Sequence, residues 1–304
     1  MEQPKGFASG NQVNRLHKSI YGLKQAPYVW NKLLDQELVA IGFRKNEIDP
    51  AIYSRITEKG GKFYIAVHVD DMLLVSHSKG EIQQVKQNLS KKFPIQDLGN
   101  IRQYLGMEIV RRRKNRTILL RVRQHINTAI VKAGMKDCRP AFTPQEQTGS
   151  QPAAATDSNP SITLYSTIVG SLIYIASTAR PDIANAVHQV CKHMHNPTEE
   201  SWIILKRVIR YLQGTKDLWL ELGGDQDNEI QLCGFCDADW GGDADNRRST
   251  TGYCFTAGQG MISWGAKQQK TVALSSAEAE YMAISEAAKE ALWLRNLYNT
   301  LHYT

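Results

Sequence analysis

No apolar run in this 304-residue chain reaches the roughly 18 residues that a membrane-spanning helix needs. The first residues, Met1-Glu2-Gln3-Pro4-Lys5-Gly6-Phe7, lack the apolar core of a secretory leader, so the chain is expected to stay inside the cell. Cysteine is sparse as well. There are five, an odd and scattered set that implies no disulfide framework. Cys233-Gly234-Phe235-Cys236 has the spacing of a redox or zinc motif, but no second pair follows at zinc-ribbon distance. It also lies in a strand-like stretch, where positions i and i+3 face opposite ways, so packing is the reading. His188, His193 and His195 have no Cys or acidic partner at ligand spacing and read as structural or surface residues. No internal repeat is present.

What is present is ordinary globular material, 42% hydrophobic and 22% charged, in a chain long enough for two compact domains. Lys and Arg outnumber Asp and Glu by 37 to 30, and a formal charge of +7 suits a polyanionic partner without proving one. The most informative stretch is Val67-His68-Val69-Asp70-Asp71-Met72-Leu73-Leu74-Val75, a strand-turn-strand pattern with two adjacent carboxylates at its tip. Two-residue hairpin turns favour Asn-Gly or Asp-Gly because they need positive φ, so Asp-Asp is a poor choice for conformation alone. Two like charges held this close call for a cation. Mg2+ fits best, since it takes oxygen ligands from one or two carboxylates together with substrate phosphates.

Residues 27–41 carry Trp30, Leu33, Leu34, Leu38 and Ile41 at helical spacing after Pro27, which suits a first turn. Phe63 to Val67 is rich in strand formers, and residues 79–92 read as an amphipathic helix through Ile82, Val85 and Leu89. Met107 to Arg112 is expected to pair with Thr117 to Val122 across Arg113-Lys114-Asn115-Arg116, the most basic piece of the chain. That hairpin is either a solvated edge guarded by charge or a grip on duplex phosphates. Residues 143–161, rich in Gln, Ser, Ala and Pro, read as a linker. Three helices are expected near 162–176, 181–195 and 197–214, then strands at 230–236, 252–257 and 261–264 and a long helix from Ser275. Ser275-Ser276-Ala277-Glu278 is a capping box, which gives Glu278 a structural task and leaves Glu280 free.

Several blocks, in order, resemble the reverse transcriptase and RNase H region of copia-type LTR retrotransposon Pol polyproteins. His68-Val69-Asp70-Asp71 is similar to the family's Tyr-Val-Asp-Asp metal turn, and Tyr21-Gly22-Leu23-Lys24-Gln25-Ala26-Pro27 to the block that opens a palm helix beside the incoming nucleotide. Phe93, Asp97-Leu98-Gly99 and Tyr104 to Ile109 resemble the palm-to-thumb stretch; Val169 to Leu172, Arg180-Pro181-Asp182 and Lys206 to Thr215 resemble the connection. Asp237-Ala238-Asp239-Trp240, Arg248 to Tyr253 and Ala273 to Tyr281 resemble RNase H.

The resemblance implies an α+β or α/β multidomain fold: a partial palm and thumb over 1–142, the linker at 143–161, a helical connection over 162–228 and a truncated RNase H-like domain over 229–304. It implies RNA-directed DNA polymerase and ribonuclease H chemistry, with Asp70, Asp71, Asp237 and Glu280 as catalytic Mg2+ ligands at two-metal sites and Gln25 at the nucleotide. Asp239 is a rival to Asp237, being two residues on and on the same strand face. The partners implied are an RNA/DNA hybrid or DNA duplex and, in a complete parent, dNTP, with no membrane. The location implied is a cytoplasmic virus-like particle or the nucleus. The family's first palm Asp precedes the segment similar to Met1 to Phe7, and its last two RNase H acids follow the long helix. Both sites are therefore expected to be incomplete and this chain to be inactive in isolation. A non-catalytic nucleic-acid-binding module and a transposon relic are the alternative readings.

Overall fold

A computed structural model describes residues 22–146, 161–224, 231–243 and 245–303, with positions 6, 7, 10, 13, 15–17, 19 and 20. Met1 to Lys5, Tyr21, residues 147–160 of the expected linker and Ile230 lie outside the described residues. The fold is mixed α/β, with seven α-helices and three antiparallel sheets among the described residues. By its internal packing the chain divides into two compact units, Met1–Leu98 with Trp293–Thr304, and Gly99–Leu292.

The first unit is a helix-covered antiparallel meander. It comprises α1 (Ala26–Ala40), β1 (Arg44–Lys45), β2 (Ile52–Ile56), β3 (Lys62–His68), β4 (Asp71–Ser76) and α2 (Lys79–Ser90), with strand order β1-β2-β3-β4. Alternation along β3 buries Phe63 and Ile65, which join Leu34 and Leu38 of α1 and Val85 and Leu89 of α2 in one core. Lys62 and Tyr64, on the other face, both donate to the Leu301 carbonyl at the end of the last helix, and Asn46 Nδ2 donates to Thr300 Oγ1 at 2.9 Å. Ser78 caps α2 by accepting the Glu81 N–H.

The second unit opens with β5 (Gln103–Tyr104), β6 (Met107–Arg112), β7 (Thr117–Arg121) and α3 (Arg123–Lys132). It continues through α4 (Ile162–Thr178), a 3-10 turn at Pro181–Ile183, α5 (Ala184–Cys191), α6 (Glu199–Thr215) and β8 (Leu220–Gly223). The hairpin of β6 and β7 has the expected register, ending at Arg112 opposite Thr117. The short β5, α3 and β8 were not expected. α3 joins α4, α5 and α6 in one core, and β8, inside the span read as helical, completes the sheet β5-β6-β7-β8. Residues 99–142 are thus tied to the helices that follow.

The third sheet holds β9 (Leu232–Asp239), β10 (Thr250–Ala257) and β11 (Gly260–Gln268) in the order β11-β10-β9, and α7 (Ser276–Tyr303) follows. Directly opposed residues of antiparallel strands share a face. Ser263 donates to Glu290 and Lys267 to Glu286, so α7 covers the face carrying Thr251, Tyr253, Phe255, Ser263 and Lys267. Ala279, Ala283 and Ala287, four residues apart, form the buried stripe of that helix. The opposite face meets α4, where Trp264 Nε1 donates to the Ala176 carbonyl at 2.8 Å. Cys233 and Cys236 point to opposite faces of β9, and both are free thiols.

Candidate active site

The acidic turn is built differently from its expected form. His68 pairs with Asp71, so the two loop residues are Val69 and Asp70, and Asp71 is already the first residue of β4. The positive φ that such a turn requires falls on Val69, at 52°. A β-branched residue is a genuine outlier there, and strain of this kind persists only where surrounding structure enforces it. Trp30 supplies that enforcement. Its Nε1 donates to the Val69 carbonyl at 2.9 Å while its ring meets Phe93 edge-on at 5.2 Å. The indole therefore pins the turn to α1, and the 3.6-residue periodicity that placed Trp30 on the core face gave no sign of this second role.

Asp70 and Asp71 are both exposed. Asp71 shares the sheet face of His68, away from α1 and α2, so its carboxylate opens onto the side those helices leave uncovered. Gln25 stands at the N-cap of α1, exposed and making no capping bond with its side chain. It precedes Trp30 by five residues, roughly 7 Å along the helix axis. One helix thus positions the glutamine and anchors the acidic turn. Two carboxylates open to solvent suit a hard ion that binds one or two of them and keeps waters or substrate phosphates in the rest of its shell. Among the described residues no three His, Cys, Asp or Glu side chains converge as a closed cage, and an ion completed by substrate oxygens needs none.

The second candidate pair lies in the other unit. Asp237 pairs with Gly252 and Asp239 with Thr250, so both acids sit on the sheet face that α7 does not cover. β9 runs on to Asp239, three residues beyond the expected end at Cys236. Asp237 is exposed and Glu280, on α7, is half-buried. By register Asp237 lies on the sheet face opposite α7, the helix that carries Glu280. Ser275 Oγ accepts the Glu278 N–H at 3.1 Å as expected of the capping box. The Glu278 carboxylate accepts from the Leu274 N–H at 2.6 Å, one residue before the partner the motif predicts.

A buried carboxylate that the sequence did not single out is Asp243. It accepts from Lys192 at 2.8 Å, from Gln268 at 2.6 Å and from the N–H groups of Asp245 and Asn246. The Lys192 hydrogen bond above all holds its pKa down at about 2. Every acceptor position is occupied by protein donors, so Asp243 ties the loop after β9 to the end of α5 and is not a candidate ligand.

Residues 1–147 match the family described as reverse transcriptase (RNA-dependent DNA polymerase). The chain is 40% identical over 310 residues to the retrovirus-related Pol polyprotein from transposon TNT 1-94 of Nicotiana tabacum, covering 99% of this chain and 23% of the relative. It is 35% identical to the Pol polyprotein from transposon RE2 of Arabidopsis thaliana, covering 99% and 20% respectively. A transposon Ty5-1 protein of Saccharomyces cerevisiae is 33% identical, with 95% of this chain and 94% of that protein covered. The chain spans about a fifth of the length of the plant Pol polyproteins it matches.

Proposed function

Because the chain belongs to the reverse-transcriptase family of copia-type transposon Pol polyproteins, we propose that it carries the metal turn and nucleotide-side helix of an RNA-directed DNA polymerase. The observation that carries this reading is the strained Val69-Asp70 turn, which holds two exposed carboxylates and is pinned by Trp30 to the helix headed by Gln25. Asp70 and Asp71 would hold Mg2+, which when bound supplies positive charge to the oxygens of an in-line phosphoryl displacement. The chain's own contribution is position. Trp30 fixes the turn, the register turns Asp71 with His68 away from the core of α1 and α2, and Gln25 offers an amide on the nucleotide side. The partners proposed are an RNA/DNA hybrid or DNA duplex.

We read residues 232–303 as an RNase H-like region in which Asp237 and Glu280 are metal ligands. A three-stranded antiparallel sheet followed by a long helix, with Glu278 occupied in the cap, supports that reading.

Primer extension on poly(rA) with oligo(dT) tests the polymerase in a Pol polyprotein carrying this segment. Incorporation should vanish in Asp70→Asn and fall in Asp71→Asn; incorporation that survives Asp70→Asn would overturn the reading. In the chain itself, Mn2+ should broaden the Trp30 indole resonance, and Asp70→Asn with Asp71→Asn should remove that effect.

A further inference from the structure

Residues 136–146, between α3 and α4, lie as a strap along α6. The Gln213 side chain donates to the Lys136 carbonyl at 2.9 Å, Arg210 Nε to the Arg139 carbonyl at 2.8 Å, and the Ala141 N–H to the Arg210 carbonyl at 3.2 Å. Pro140 seats closely, since a Cβ on Gly214 would come within 2.9 Å of it. One turn nearer the start of α6, Arg207 holds the end of the strap. Its Nη2 donates to Thr143 Oγ1 at 3.0 Å and its Nη1 pairs with the Glu146 carboxylate, while Asn185 of α5 donates to the Gln145 side chain. Arg207 and Arg210 are three residues apart, so both guanidinium groups serve the same face of the helix.

Thr143-Pro144 is the single place among the ten prolines of the sequence where Ser or Thr precedes proline. Residues 142–145 form bends rather than helix or strand, and Phe142 and Thr143 are exposed, so the dipeptide stands in an open, irregular stretch that another enzyme can bind extended. The hydroxyl is the accessible nucleophile there. Its own hydrogen bond is local, from Oγ1 to the Gln145 carbonyl at 2.7 Å. Arg207 already lies within hydrogen-bond distance of the oxygen that would carry phosphorus, and there its charged Nη2 meets only a neutral acceptor. A phosphate on that oxygen turns the contact into a charge-assisted one, which planar guanidinium forks make in pairs. Phosphothreonine carries about −1.5 to −2 charges near pH 7 against the single charge of Glu146, so it wins the arginine.

We propose that Thr143 is a phosphorylation site for a proline-directed serine/threonine kinase, and that Arg207 receives the phosphate and exchanges Glu146 for it. In the transfer Thr143 Oγ1 bonds to the γ-phosphorus of ATP, the bond from that phosphorus to the β–γ bridging oxygen breaks, ADP leaves and the hydroxyl proton passes to the kinase's base. The modified strap is held to α6 by charge-assisted bonds in place of one neutral contact. That fixes the point where the chain departs from the helix. The inference rests on the strap and α6, and neither polymerase nor RNase H chemistry enters it.

Incubation of the folded full chain with MgATP and a purified mitogen-activated protein kinase, followed by tandem mass spectrometry, should place one phosphate at Thr143 and none in Thr143→Ala or Pro144→Ala. In a phosphorus NMR titration the second ionisation of that phosphate should lie about half a pH unit lower in the folded chain than in the phosphopeptide spanning 139–146. Arg207→Gln, phosphorylated and matching the parent in circular dichroism, should bring it back to the peptide value. Glu146→Gln, which keeps the arginine and removes its competitor, should lower it further. Phosphorylation should also raise Tm in the parent and not in Arg207→Gln. A folded chain left unmodified under conditions that phosphorylate the peptide overturns the site, and equal titration of folded chain and peptide overturns Arg207 as the receiver.

Discussion

At the scale of single residues, the decisive position is Val69. A valine at φ 52° carries strain that glycine would not, so Val69→Gly should stabilise the first unit by up to about 1 kcal/mol in chemical denaturation. The same change frees the turn, and Mn2+ broadening at Trp30 should weaken. Trp30→Phe should cost about 1 kcal/mol, since the ring packing on Phe93 is kept and one hydrogen bond is removed. Two carboxylates make the second unit acid-sensitive. Asp243 is held down at about 2, chiefly by the Lys192 hydrogen bond. Asp182 is pushed up by burial but more strongly lowered by the Arg180 hydrogen bonds and charge and by Tyr211, so its pKa lies below the ordinary value. Both bind their protons less readily folded than unfolded, so their stabilisation is present above the ordinary carboxylate value of about 4 and is lost as pH falls below it, for Asp243 through about 2. Lys192→Met should remove the Asp243 share, on the order of 1 kcal/mol at pH 7, and flatten the acid limb of a stability–pH curve.

At the scale of elements, the buried Arg180 organises the chain between α4 and α5. Its guanidinium donates to both Asp182 oxygens, at 2.9 and 2.6 Å, and to the carbonyl and hydroxyl of Thr215 at the end of α6, while Tyr211 donates to Asp182. Arg180→Ala removes a buried guanidinium and leaves the partly exposed Asp182 carboxylate and the Thr215 acceptors without partners, and should cost about 2 kcal/mol by thermal or chemical denaturation. Arg180-Pro181-Asp182 was legible only as a block resembling the connection region; the network became visible once α6 was folded against it. Helices with a clean apolar stripe, such as α1, α2 and α6, were readable from spacing. α3 was not, because a ten-residue helix rich in β-branched residues with no side-chain cap carries a weak local signal. β8 was not readable either. Four residues become a strand only through pairing with β7, about a hundred positions earlier.

At the scale of the whole molecule, α7 supplies residues to both compact units, and from Trp293 onward it belongs to the first. Asn46, Lys62 and Tyr64 all bond to its Thr300 and Leu301. Ending the chain after Leu292 should therefore weaken the first unit by about 2–4 kcal/mol, counting roughly 1 kcal/mol for each hydrogen bond and the apolar cover removed with them. Urea unfolding followed through deuterium exchange of β3 amides would show the loss, while amides of α4 and α6 should keep their protection.

The sequence by itself determined the order of the motif blocks, the helices whose apolar faces repeat locally, the basic hairpin with its register, and the family to which the chain belongs. Each of these is written in neighbouring residues, through periodicity, caps and turn chemistry. The tertiary structure alone decided that Val69 and not an aspartate takes the positive φ, that Trp30 anchors the acidic turn, and that Asp237 lies on the sheet face that α7 does not cover. It also decided that β8 closes on the tip of the β6–β7 hairpin, where a Cβ on Gly223 would meet the Arg116 carbonyl oxygen. These features depend on strand register and on side chains brought together from distant positions, and local sequence encodes which face a residue presents but not what meets it there.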